Sequence, residues 1–134
     1  MTYRKTINLR TSSPVEVADI TREVEAVVAA AGIAEGLANI AAPHCTCALY
    51  VNENESGLVH DVLRTVRELA FREGYRHDRI DDNAAAHVAA SLIGSALTLP
   101  VEAGRLKLGT WQRVMLLELD GPRSRSVIVT VLGG

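Results

Sequence analysis

From Ala96 onward the chain alternates short β-forming runs with tight turns and offers no stretch of helical spacing. The runs are Ala96–Val101, Arg105–Leu108, Arg113–Leu119 and Val127–Leu132, with Ala103-Gly104 and Asp120-Gly121-Pro122 as turns between them. Glycine, proline and aspartate punctuate the chain there because each tolerates or presets an unusual backbone angle. Connections this short join antiparallel neighbours, since a parallel pair needs a crossover of a dozen or more residues.

The first part of the chain mixes the two periods. Thr2–Arg10 alternates and is expected to be a strand, with Tyr3, Lys5, Ile7 and Leu9 on one side. Ser13-Pro14-Val15-Glu16 has the form of a capping box, serine at the N-cap and proline at the first helical position. A helix is expected from there, with Val17, Ile20, Val24, Val27, Val28 and Ala31 on its apolar face and Gly32 at its end. Gly36–Ala42 and His44–Asn52 read as strands broken by Pro43. Asn54-Glu55-Ser56-Gly57 opens an amphipathic helix that carries Leu58, Val62, Val66 and Leu69 inward and ends near Gly74. A polar loop over 75–82 leads to a small-residue helix from about Asn83 to Gly94. One mainly antiparallel α+β domain over 1–134 is the expected organisation, with no linker or repeat.

At 48% hydrophobic and 22% charged residues the chain has globular composition, and with aromatics at 4% its core must be aliphatic. The net charge of −2 comes with interspersed signs, which argues against a nucleic-acid surface. No apolar run reaches the roughly 18 residues of a membrane span. The N-terminal residues lack the apolar stretch of a signal peptide, so a cytoplasmic location is expected.

The segment His44–Asn52 separates cleanly when read as a strand. Cys45, Cys47, Leu49 and Val51 form an apolar face, while His44, Thr46, Ala48, Tyr50 and Asn52 form a face with four polar groups. That second face is either an ordinary half-solvated sheet surface or the wall of a site. The two cysteines lack the two-residue spacer of redox and zinc motifs, and buried thiols are expected. His87 lies on a helical face stripped of bulk by Ala84, Ala90, Ser91 and Gly94, which leaves room for close packing or for a ligand. His77 sits in the polar loop before it. His60 shares a wet face with Arg64 and Arg67 and is left out of the site.

Three neutral imidazoles with water in a fourth position make a competent zinc site. His44, His77 and His87 are the candidates, although no local His-x-His or His-x-x-x-His pair supports them. Glu53 and Glu55 are nearby carboxylates, either a base or, for Glu55 in particular, a complement to the helix dipole. Trp111, in Gly109-Thr110-Trp111-Gln112, is a core anchor or a wall of the site. Arg105, Arg113, Arg123 and Arg125 are either anion binders or solubility devices on strand edges.

These pieces together resemble the YjbQ family. His44-Cys45-Thr46-Cys47-Ala48-Leu49 followed by Asn52-Glu53-Asn54 is similar to its His-Thr-Ser/Thr-Ala-Ala-Leu…Asn-Glu-Asn signature. Asp81–His87 with Ser91–Ser95 is similar to a second block, and Pro100, Gly104–Leu106, Leu108–Gln112 and Arg125–Gly133 to a third. The resemblance implies a β-sandwich-like α+β domain with two or three helices, assembled as a homotrimer with sites near subunit boundaries. It implies an enzyme like the secondary thiamine-phosphate synthases, which join a pyrimidine diphosphate to a thiazole phosphate and release pyrophosphate. His44, His77 and His87 become metal ligands or polar catalytic groups, with a divalent metal such as zinc as cofactor. Glu53, Asn52 and Gln112 are the expected catalytic residues, and Thr46, Arg105, Ser91 and Trp111 the expected contacts to a small phosphorylated molecule. Cys45 and Cys47 depart from the family pattern, and thiolate coordination opens up if Cys45 faces the site. A non-catalytic trimer binding metal or anion, and a metal-dependent hydrolase, are the competing functions.

Overall fold

Alternation in the first residues delivers β1 (Thr2–Arg10) in the computed structural model, which describes residues Met1–Gly134. The chain continues as β2 (Glu16–Asp19), α1 (Thr21–Ala31), β3 (Gly36–Ala41), β4 (Cys47–Asn52) and α2 (Ser56–Ala70). A single 3-10 turn (Arg76–Arg79) precedes α3 (Ala84–Ile93), and β5 (Ala96–Glu102), β6 (Arg105–Leu106), β7 (Arg113–Glu118) and β8 (Ser124–Gly133) complete it. No helix is long and apolar enough to cross a membrane.

All pairings are antiparallel, but of the short connections after Ala96 only β5–β6 joins paired neighbours, and the turn at Asp120-Gly121-Pro122 carries the chain from β7 in one sheet to β8 in the other. One sheet has the order β1-β8-β3-β5-β6 and the other β2-β7-β4. Between them lies the main core: Ala38 and Ile40 of β3 and Val127, Val129 and Val131 of β8 face Val114 and Leu116 of β7 and Cys47 and Leu49 of β4. Helix α1 adds Val24, Val27 and Val28 to this core. The small sheet is covered on its second face too, where Ala48, Leu117 and Leu119 meet Ala86, Ala89 and Ala90 of α3 and Ala70 of α2. The sandwich is therefore approximate, a two-sheet core with a helical layer outside the smaller sheet. Burial on both faces explains why the β7 run is continuously apolar.

Several expectations change. The helix expected from Ser13 begins only at Thr21, and Glu16–Asp19 is a strand paired to β7. Glu16 Oε1 does accept from the Ser12 and Ser13 backbone amides, as in a capping box, but the chain then extends. The physical reason is period: Val15 and Val17 alternate and pack into the second core. Helix α1 has Ile20 at its N-cap with no side-chain cap bond, and Asp19 just before it accepts through Oδ1 from the Thr21 amide at 3.0 Å and the Thr21 hydroxyl at 2.6 Å. Helix α2 is rotated from the expected face: Leu63, Val66 and Ala70 pack inward, while Leu69 is 63% exposed. Its cap is Glu55, which accepts from the amides of Gly57 at 2.6 Å and Leu58 at 2.9 Å. Strand β4 starts at Cys47, so Cys45 lies on the irregular approach and is exposed, not buried.

Candidate functional site

Strand β3 stops at Ala41, opposite Ile128 of β8. Continuing that register would set Pro43 against Ser126, and the chain turns away instead. A tight turn, with the His44 amide donating to the Ala42 carbonyl at 2.8 Å, swings the His44 ring into the space. The Ser126 backbone N–H, deprived of a β3 partner, donates to His44 Nε2 at 3.0 Å, with the Ser126 hydroxyl 3.3 Å from the same nitrogen. Partial burial, followed by the positive charge of Arg125, holds the His44 pKa below its usual value, against the opposing pull of Glu118.

The next residues are fastened from below. Arg125 is 3% exposed and donates through Nη2 to the Thr46 carbonyl at 3.0 Å and the Thr46 hydroxyl at 2.9 Å. Its charge is balanced by Glu118, which is 0% exposed. Two consecutive β8 residues thus clamp both ends of His44-Cys45-Thr46.

Helix α3 supplies the opposite wall. Its alanine face packs on β4 and β7, which brings the helix close and aims His87 and Ser91 at the clamped segment. His44, Cys45, His87, Ala90, Ser91 and Ser95 line a cavity of about 290 Å³. Ser91 donates to the His87 carbonyl at 2.8 Å, one helical turn back, and keeps its lone pairs. The His77 ring meets the His87 ring edge-on, centroids 4.9 Å apart and planes at 72°. Asn83 fixes His77: its Nδ2 donates to Asp120 Oδ2 at 3.0 Å, so its Oδ1 is the acceptor for His77 Nε2–H at 3.1 Å.

A second polar cleft of about 370 Å³ lies at the other end of β4, lined by Asp19, Arg22, Glu53, Asn54, Thr110, Trp111 and Arg113. Asp19 Oδ2 accepts from Arg113 Nε at 2.8 Å and Asn54 Nδ2 at 3.1 Å. Burial alone would raise the Asp19 pKa, but these bonds and the two from Thr21 outweigh it and pull the value down to about 2. Trp111 is 70% exposed over this cleft, a wall and not a core anchor.

The expected site is therefore divided. His44, His87 and Ser91 come together at the start of β4, with His77 reaching only the His87 ring, whereas Glu53 and Trp111 stand at its far end. Six residues of strand separate the two, roughly 20 Å at the usual rise per residue. Asn52 Oδ1 accepts from the Glu53 amide at 2.8 Å, and Gln112 Oε1 from the Gly109 amide at 2.8 Å, so both shape turns beside the far cleft. Thr46 is buried under Arg125, and Arg105 lines a third hollow with Glu25, Ala29, Leu106 and Leu108. Arg125, expected as an anion binder or a solubility device on a strand edge, is internal. His44 and His77 each commit Nε2 to a protein partner, and no three His, Cys, Asp or Glu side chains converge on one point. A three-imidazole centre does not fit this donor set.

Cys45, Ser95, Ser126 and Asn83 were not assigned from sequence, and only Cys45 carried a signal there, as the departure beside His44. The UPF0047 protein YjbQ-like family model matches residues 5–134. A UPF0047 protein of Archaeoglobus fulgidus is 47% identical over 127 residues, covering 94% of this chain and 98% of that protein. The UPF0047 protein YugU of Bacillus subtilis is 39% identical, covering 96% and 98%. Among solved structures, a YbjQ-like protein of unknown function from Sulfolobus solfataricus P2 superposes with a TM-score of 0.98 at 40% identity, covering 100% of this chain and 99% of that one. The chain belongs to the YjbQ/UPF0047 family.

Proposed function

We propose that this chain binds a small phosphorylated molecule in the histidine pocket and acts on it as a thiamine-phosphate synthase-like transferase. The observation that carries the reading is the meeting of His44 and His87, distant in sequence, around one cavity that also presents Ser91 and Ser95, with His77 packed edge-on against His87. Imidazole N–H groups and hydroxyls suit the oxygens of a phosphate or diphosphate. In such a transfer the thiazole nitrogen bonds to the pyrimidine methylene carbon as its C–O bond breaks, and pyrophosphate leaves with the bonding electrons. A divalent cation such as zinc enters the proposal at His77 Nδ1 and His87, completed by ligand oxygens.

Assembly as a homotrimer belongs to the same proposal. The exposed Trp111, at 70%, and the exposed Leu37 and Leu132, at 51% and 56%, favour cover by another copy. A boundary that sets the far cleft of one copy beside the histidine pocket of the next would reunite Glu53 and Trp111 with the imidazoles. The test is pyrophosphate release from the two thiamine precursors by wild type and by His87→Ala. Release by the wild type alone supports the transferase. Absence of release in both, with precursor still bound, supports a non-catalytic binding module.

A further inference from the structure

The geometry points to His44 as a hydrogen-bond donor of fixed tautomer, its proton on Nδ1, that serves an acceptor oxygen of the bound molecule and does not ligate metal. A backbone amide can only donate, so the nitrogen facing the Ser126 N–H at 3.0 Å must carry a lone pair. In the neutral ring the proton then sits on Nδ1. Moving it to Nε2 would set two N–H groups head to head, and a backbone amide has no other tautomer to offer. Nδ1 has no partner in the protein, and since no buried polar side-chain atom is unpaired, it reaches solvent. The ring lines the cavity with His87, Ser91 and Ser95. Burial and Arg125 disfavour the doubly protonated ring, in agreement with the geometry.

His77 has the opposite polarity. Its Nε2 must be the protonated nitrogen, because Asn83 Oδ1 is an acceptor once Asn83 Nδ2 serves Asp120. One imidazole of the site thus offers a proton and another a lone pair. Metal coordination by His44 would require either the lone pair that Ser126 uses or displacement of the Nδ1 proton. The ligand class that follows is an anion or carbonyl with an oxygen acceptor, and this half of the inference rests on the phosphorylated-ligand reading above.

The test reads nitrogen shifts of the imidazoles in the ¹⁵N-labelled full chain at neutral pH, with His44→Gln to assign the His44 signals. Gln Oε1 can still accept from the Ser126 amide, so the variant retains that bond. The expected spectrum has a pyrrole-type Nδ1 and a pyridine-type Nε2 for His44, and the reverse for His77. Inorganic phosphate should shift His44 Nδ1, and zinc should leave both His44 nitrogens in place. A pyrrole-type Nε2 at His44, or a zinc-induced shift there, would overturn the inference. No phosphate response would remove its ligand half. The tautomer is read without substrate or turnover, so its failure is separable from failure of the transferase reading.

Discussion

Arg125 and Glu118 form an ion pair closed off from solvent, and the spare valences of both go to threonines and backbone groups. Arg125 donates to Thr46, and Glu118 Oε1 accepts from the Thr11 hydroxyl at 2.8 Å while Oε2 accepts from the Leu119 and Asp120 amides at 3.0 Å each. The pair ties β7, β8, the start of β4 and the β1–β2 turn together just below His44.

Removing one partner strands the other in the core. Arg125→Met is expected to cost about 3–5 kcal/mol in urea unfolding, as for a broken buried pair. The double variant Glu118→Leu/Arg125→Met should recover part of that loss, because no buried charge is left unpaired, while the Leu119 and Asp120 amides, Thr11 and Thr46 still lose their partners. A double variant no more stable than Arg125→Met would contradict this account of the pair.

Acid sensitivity should be traceable to Asp19. Its folded pKa, about 2, lies below the ordinary 3.8. A carboxylate with a depressed folded value stabilises the fold above its unfolded pKa, and that contribution disappears as pH falls from 3.8 through about 2. Asp19→Asn should therefore flatten the stability profile in this window. A profile as steep as that of the wild type would place the sensitivity elsewhere, Glu118 and Glu55 being the other depressed carboxylates.

Gly36 stands opposite Gly133 where β3 meets the end of β8, and a Cβ there would overlap the Leu132 carbonyl oxygen. Gly36→Ala should destabilise by about 1–3 kcal/mol, the usual cost of overpacking. Gly32→Ala meets no atom, and its cost comes only from the φ of 66°. The first substitution should shorten β3 in amide exchange, and the second should leave it unchanged.

Much of this architecture was readable in the residues. The alternation of β1, the turns at Ala103-Gly104 and Asp120-Gly121-Pro122 and Val24, Val27 and Val28 of the α1 face all appear as written. The capping box misled because Glu16 makes the box's amide bonds in a turn that enters a strand. Helix α2 has two apolar stripes a residue apart, and only contact with the alanine face of α3 selects Leu63, Val66 and Ala70. Arg125 carried an unused signal: it shares strand parity with Val127, Val129 and Val131, which marks it as inward. The meeting of His44 with His87 had no local signature, since tertiary packing of α3 on β4 creates it.

Exposed Trp111 offers a check on assembly. Light scattering should give a mass near three chains, and Trp111→Ala together with Leu132→Asp should lower it. A monomeric wild type at all concentrations would leave the site divided and remove the shared-boundary proposal.

Calorimetric titration of pyrophosphate into the wild type, His87→Ala and Glu53→Gln tests the histidine pocket most directly. We expect binding to the wild type and at least a tenfold loss in His87→Ala, about 1.4 kcal/mol or more. Equal affinity for wild type and His87→Ala, with both folded, would contradict the assignment of the anion to the cavity between His44 and α3.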